Sequence, residues 1–213
     1  MDDMELIVIS SPEFLENEPR LINELFAAGM KRFHLRKPNA SISKLVELIS
    51  AIDPEFRAEV VLHQHHELAD TFSMKRRHYP EALRLLHADT LVQQKRCGIG
   101  LSTSIHKLDH AYELSIFDYV FFSPVFNSIS KLGYHATLPA NFHLHRPEDT
   151  PAVIALGGVD VANIPLVSEM NFDGVAVLGA IWNKPGSPVS NFLNIQNCIT
   201  NLSQHPVQNI RHD

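Results

Sequence analysis

With 213 residues, 45% hydrophobic and 20% charged, the chain has ordinary globular composition and length for one sizeable core, so one domain is the default. A formal net charge of −6 argues against a nucleic-acid surface, which needs a basic face, although a few cations and backbone N–H groups can still hold a phosphate. Cys97 and Cys198 are too few for a secreted disulfide framework and lack zinc-ligand spacing. The opening Met1-Asp2-Asp3-Met4-Glu5 is acidic where a signal peptide is basic, and no apolar run reaches the length of a membrane span, so a cytoplasmic protein without membrane contact is expected.

In chain order, residues 6–9 form an apolar strand and residues 19–28 a helix, with Leu21, Ile22, Leu25 and Phe26 at helical spacing and Gly29 at its end. Residues 32–35 read as a strand and 41–52 as a helix with Leu45, Leu48, Ile49 and Ile52 on one face and Ser41 or Ser43 as its cap. A third strand at 60–63, a brief helix at 66–72, a weak strand at 77–79 and a helix at 80–86 follow. Residues 97–102, 105–114 and 119–123 read as strand, helix and strand. Residues 124–150 form a long loop of the kind used as a lid or binding segment, with a helical turn near 140–144. The chain closes with strands at 152–156 and 174–178, helices at 164–170 and 191–202, and a polar tail at 203–213.

The strand starts near residues 5 and 174 enclose seven intervals of about 24 residues, enough for a strand, a helix and two short loops each. The expected fold is therefore α/β, a compact (β/α)8 TIM barrel in a single domain over residues 1–202, with a doubly wound open sheet as the alternative. The last two strands are short buried apolar runs that each end in glycine, which lets backbone N–H groups approach a ligand. Gly157 and Gly158 supply one wall of an anion cradle; Leu178, Gly179 and Ala180 open a short helical turn that aims N–H groups at the same anion. The loops after strands seven and eight are the usual phosphate site of such barrels.

The remaining strand ends carry His34, Arg36, His63, Gln64, His65, His78, Ser102, Ser104 and Ser123 to the same rim. Arg36 can clamp a phosphate bidentately, and Lys131 in the long loop can supply a point charge over a leaving group. His34, His63, His65 and His78 read as a metal site, a proton-transfer cluster or partly exposed hydrogen-bonded imidazoles. Phe126 covers a flat ligand or simply packs.

Several blocks resemble the thiamine phosphate synthase and TenI family: Phe33-His34-Leu35-Arg36-Lys37, Val61-Leu62-His63-Gln64, Gly100-Leu101-Ser102, residues 118–126 with Ser130-Lys131, Ala155-Leu156-Gly157-Gly158-Val159, and residues 174–178. The resemblance covers residues 6–182 and implies a (β/α)8 barrel of thiamine biosynthesis. Such an enzyme joins a pyrimidine methyl diphosphate to a thiazole phosphate and releases diphosphate with Mg2+. By resemblance Arg36 and Lys131 hold diphosphate, and Ser102, Gly157, Gly158 and Gly179 line the substrate and phosphate pockets; from the rim reading His34 and His63 are added as catalytic candidates, and Ser123 and Leu178 as pocket residues. Small phosphate esters are the implied partners, and a homo-oligomer is compatible with this reading. The chain departs from the family at Pro38, where a lysine is usual and Lys37 stands one place earlier. It departs again at Gln64, where a magnesium aspartate is usual, and at Leu83, near the second such aspartate. A TenI-type thiazole tautomerase, which carries a histidine at the Ser104 position, and a binding protein without turnover are the alternatives.

Overall fold

The computed structural model describes residues 4–126, 138–139 and 141–204. Eight parallel strands close into a barrel in sequence order: β1 (Glu5–Ile9), β2 (Phe33–Leu35), β3 (Val60–Leu62), β4 (Arg76–Tyr79), β5 (Gly100–Ile105), β6 (Tyr119–Phe122), β7 (Ala152–Leu156) and β8 (Gly174–Val177). Closure is made where β1 pairs with β8, Glu5 opposite Gly174 and Val8 opposite Val177. The expected (β/α)8 barrel is therefore the observed fold, and the open sheet is excluded.

Around the barrel lie α1 (Glu18–Ala27), α2 (Ile42–Ser50), α3 (Glu67–Thr71), α4 (Glu81–Leu86), α5 (Ala88–Arg96), α6 (Ile164–Glu169), α7 (Gly179–Trp182) and α8 (Pro188–Gln204). The α2 helix begins where Ser41 Oγ accepts the Lys44 backbone N–H, satisfying one of the donors that a helix start leaves free. Leu45, Leu48 and Ile49 then face the barrel wall.

In each strand alternate side chains point outward and inward. Outward residues such as Phe33, Leu35, Val60, Leu62, Val120, Phe122, Val175 and Val177 join the helices in the principal core. Ile7, Ile9, Tyr119, Phe121, Ile154 and Ala176 form a separate cluster that fills one side of the barrel interior.

Four departures from the sequence expectations have local causes. The α5 helix was not anticipated because only Leu91 is buried along it. The β5 strand runs three residues beyond its expected end, because Ser102 and Ser104 occupy inward positions where an apolar residue would have announced a strand; residues 108–113 consequently form only a 3-10 helix. Another 3-10 helix, Pro54–Glu59, precedes β3. Finally α8 starts at Pro188, where Ser187 Oγ accepts the Ser190 N–H, and takes up Ser203 and Gln204, which the sequence had placed in the tail. Of the turn expected at 140–144, the Phe142 N–H donates to Pro139 O, while Ala140 lies outside the described residues.

One buried ion pair ties the strand-to-helix loops together. Lys37 Nζ lies 2.6 and 2.8 Å from the two carboxylate oxygens of Glu18, and also donates to the carbonyls of Ser11 and Glu13. Both side chains are essentially inaccessible, at 0% and 1% exposure. Burial raises the Glu18 carboxyl above its ordinary range and lowers the Lys37 ammonium, while the pair's mutual attraction opposes both shifts. Lys37→Met leaves a buried carboxylate and two carbonyls without their donor, and should lower the unfolding free energy by about 3–5 kcal/mol in urea melts. Combining it with Glu18→Leu should recover more than half of that loss, because no unpaired charge remains.

Candidate active site

Inward positions of β2, β4 and β5 are polar, and β3, whose inward residue is Val61, is followed directly by His63. His34, between the outward Phe33 and Leu35, is fully buried; His78, between Arg77 and Tyr79, is 1% exposed; and His63, directly after β3, is 7% exposed. Barrel interiors are ordinarily packed with branched apolar side chains, so three imidazoles at this depth are the informative feature. These histidines are thus sunk into the barrel and not held at an open rim.

Their polar atoms are paired among themselves. Tyr119 Oη lies 2.6 Å from His34 Nε2, and His34 Nδ1 lies 2.9 Å from His63 Nε2. The His63 and His78 rings stack with centroids 4.1 Å apart, and both His78 nitrogens meet serine hydroxyls, Ser102 and Ser104, at 3.0 Å. Hydroxyls can donate and accept, so the chain of groups is satisfied with every imidazole neutral. Burial is the first cause holding His34 and His63 well below the ordinary imidazole range and His78 at about 3; positive charge on neighbouring histidines adds to it, as does Arg36 for His63 and His78. Burial likewise pushes the Tyr119 phenol to about 12. Phe121 packs against both His34 and His78, so this polar wedge abuts the apolar side of the interior.

Arg36, one residue past β2, is exposed, and its backbone N–H and carbonyl are both held by Ser10 Oγ, at 2.9 and 3.0 Å. Its guanidinium has no carboxylate partner within 4.0 Å among the described residues. Gly157 and Gly158 follow β7 with φ of 96° and 70°, a backbone region that L side chains enter only with strain. A Cβ on Gly157 would stand 3.1 Å from Pro124 Cα and 3.2 Å from Ser123 Oγ, so the glycine also lets the Ser123 loop close over it. That loop is fixed by Val125 N–H donating to Leu156 O and Phe126 N–H donating to Gly157 O. Leu178 and Gly179 follow the neighbouring β8, where α7 is a single turn, so the anion-binding capacity there comes from its first N–H groups and only weakly from a helix dipole.

The other candidates separate from this centre. His65 pairs with Glu67 at 3.2 Å and is not among the three clustered imidazoles. Phe126 packs on the principal core. Lys37, spent on Glu18, is not available to stand in for the family lysine. Lys131 and Ser130 lie outside the described residues. Magnesium, implied by the family, does not fit the groups present. The Gln64 amide donates to Lys37 O, Leu83 packs beside Tyr79 and Leu91 on the outer wall, and the ligating cluster among the described residues is three imidazoles with no carboxylate.

A family model described as thiamine monophosphate synthase (TMP-TENI) matches residues 6–181. The chain belongs to this family. It is similar to the thiamine-phosphate synthase of Rhodospirillum centenum, with 27% identity over 202 residues, covering 89% of this chain and 95% of that protein. Among solved structures it resembles thiamine phosphate pyrophosphorylase from Bacteroides thetaiotaomicron, with a TM-score of 0.72 and 23% identity over 95% of this chain and 100% of that one. The protein of the same name from Pyrococcus furiosus gives a TM-score of 0.71 and 15% identity over 93% and 96%.

Sequence reading had not singled out Tyr119, which anchors the whole imidazole chain. The available signal was the two-residue alternation itself, which puts Tyr119 and Phe121 on one face of a strand whose other face is apolar. Tyr119→Phe removes the hydroxyl from His34 Nε2 and leaves a buried nitrogen unpaired. Thermal or urea unfolding should show a loss of about 1–3 kcal/mol.

Proposed function

We propose that this protein acts in thiamine biosynthesis as a thiamine phosphate synthase, joining hydroxymethylpyrimidine diphosphate to thiazole phosphate with release of diphosphate. The family match over residues 6–181 carries this reading. The synthase name of the curated relative supports it over the tautomerase alternative. The bond between the pyrimidine methylene carbon and the diphosphate oxygen breaks with its electron pair leaving on oxygen. The thiazole nitrogen then supplies the pair for the new C–N bond.

Such a heterolysis needs positive charge at the departing oxygens and a dry, neutral pocket for the developing carbocation. Arg36, with no carboxylate partner among the described residues, supplies the first, joined by Lys131 from the long loop. The buried neutral imidazoles supply a floor that adds no positive charge beneath the cation, with His63 as the member that reaches the surface and His34 holding it. Gly157, Gly158, Leu178 and Gly179 cradle the thiazole phosphate and Ser123 completes the lining, whereas Ser102, also expected there, is buried inside the barrel on His78. The substrates are small water-soluble phosphate esters, which suits a cytoplasmic single-domain enzyme over residues 1–202 with no nucleic-acid or membrane partner; among the described residues no helix is long and apolar enough to cross a membrane.

The direct test supplies both precursors and follows thiamine phosphate and diphosphate by chromatography, with and without Mg2+. Stoichiometric formation of both products is expected, and absence of turnover under every metal condition refutes the synthase reading. Arg36→Ala should lower kcat by about 10²–10³-fold, as expected for loss of a group that stabilises transition-state charge, with the fold unchanged by circular dichroism because the side chain is exposed.

A further inference from the structure

We propose that His34, His63 and His78 form a binding site for one borderline transition-metal cation of the Zn2+, Co2+ or Ni2+ type. The proposal stands on these residues and does not depend on the synthase reading.

One ligating nitrogen from each histidine lies within 4.8 Å of the others, and all three side chains are buried. Tetrahedral zinc with Zn–N near 2.0–2.1 Å places its nitrogens about 3.3 Å apart. His34 Nδ1 and His63 Nε2, at 2.9 Å, already have that proximity, so His78 has the larger adjustment to make. His34 and His78 sit on β2 and β4, and His63 directly follows β3 between them, so the three imidazoles come from adjacent staves.

For His34 and His78 the outer partners are of the kind that ligating histidines require. A metal-bound imidazole donates its second N–H to an oxygen that fixes the ring and its tautomer. For His34 that oxygen is Tyr119 Oη, 2.6 Å from Nε2. For His78 it is Ser102 or Ser104, since whichever nitrogen turns to the metal, the other keeps its serine at 3.0 Å. The proton now shared between His34 and His63 can move to His34 Nε2, because a phenol oxygen accepts as well as donates. The donor set also selects the ion. Imidazole nitrogen suits Zn2+, Co2+ and Ni2+, whereas Mg2+ requires oxygen and keeps its waters. No carboxylate is among the three ligands, so a loaded site would carry the dication's charge, in contrast to the neutral floor of the metal-free protein.

The test uses the full chain without a histidine tag, stripped with chelator and then titrated with Zn2+ or Co2+ in metal-free buffer. Calorimetry should show one tight site, Co2+ should develop the visible bands of four-coordinate nitrogen ligation, and Mg2+ should give neither. His63→Gln and His78→Gln should each weaken Zn2+ by at least a hundredfold. X-ray absorption of the Zn2+-loaded wild type, which needs no variant, should count three imidazole nitrogens near 2.0–2.1 Å. Absence of a stoichiometric site, retention of full affinity in both variants, or a zinc shell with fewer than three imidazoles would overturn the assignment.

Discussion

In a closed parallel barrel every second side chain must enter a space that solvent does not reach, and that constraint governs this molecule. On the side formed by β1, β6, β7 and β8 the rule is met with Ile7, Ile9, Phe121, Ile154 and Ala176. On β2 to β5 it places His34, His78, Ser102 and Ser104 inside, with His63 just beyond β3. Buried polar groups without partners are costly, so each imidazole must find another polar atom within the same small volume. The hydrogen-bonded chain from Tyr119 through His34 to His63, and the two serines around His78, are the solution that the register permits.

The same geometry explains the chemistry available at the mouth. The neutral imidazoles form a floor whose protonation is opposed by burial, and the exposed Arg36 lies just past β2 beside it. The departures from the family pattern are coherent in this light. Where the resemblance leads one to expect a lysine there is Pro38, with Lys37 a buried tie to Glu18, and where it leads one to expect an aspartate there is Gln64, whose amide donates to the Lys37 carbonyl.

Much of the fold was readable because it rests on local chemistry. Apolar runs ending in glycine at residues 152–158 and 174–179, the Ser41 cap of α2, and the even spacing of units all reflect interactions within a few residues. The β5 strand and α5 were legible only poorly: a strand with serine on its inward face and a helix with one buried leucine carry little apolar periodicity. For the site, the glycine pairs and Arg36 could be named from their neighbours, whereas Tyr119 could not, since its partner His34 is 85 residues away.

The amino-acid sequence by itself therefore determined the repeating strand-helix order, the glycine-ended strands and the family, because each is written in short-range pattern. Tertiary structure alone decided that Lys37 points into the loops and not at a substrate, and that His34, His63 and His78 share one buried space. Side-chain direction in a barrel depends on the register of every strand with its neighbours, and that register is settled only when β8 closes on β1.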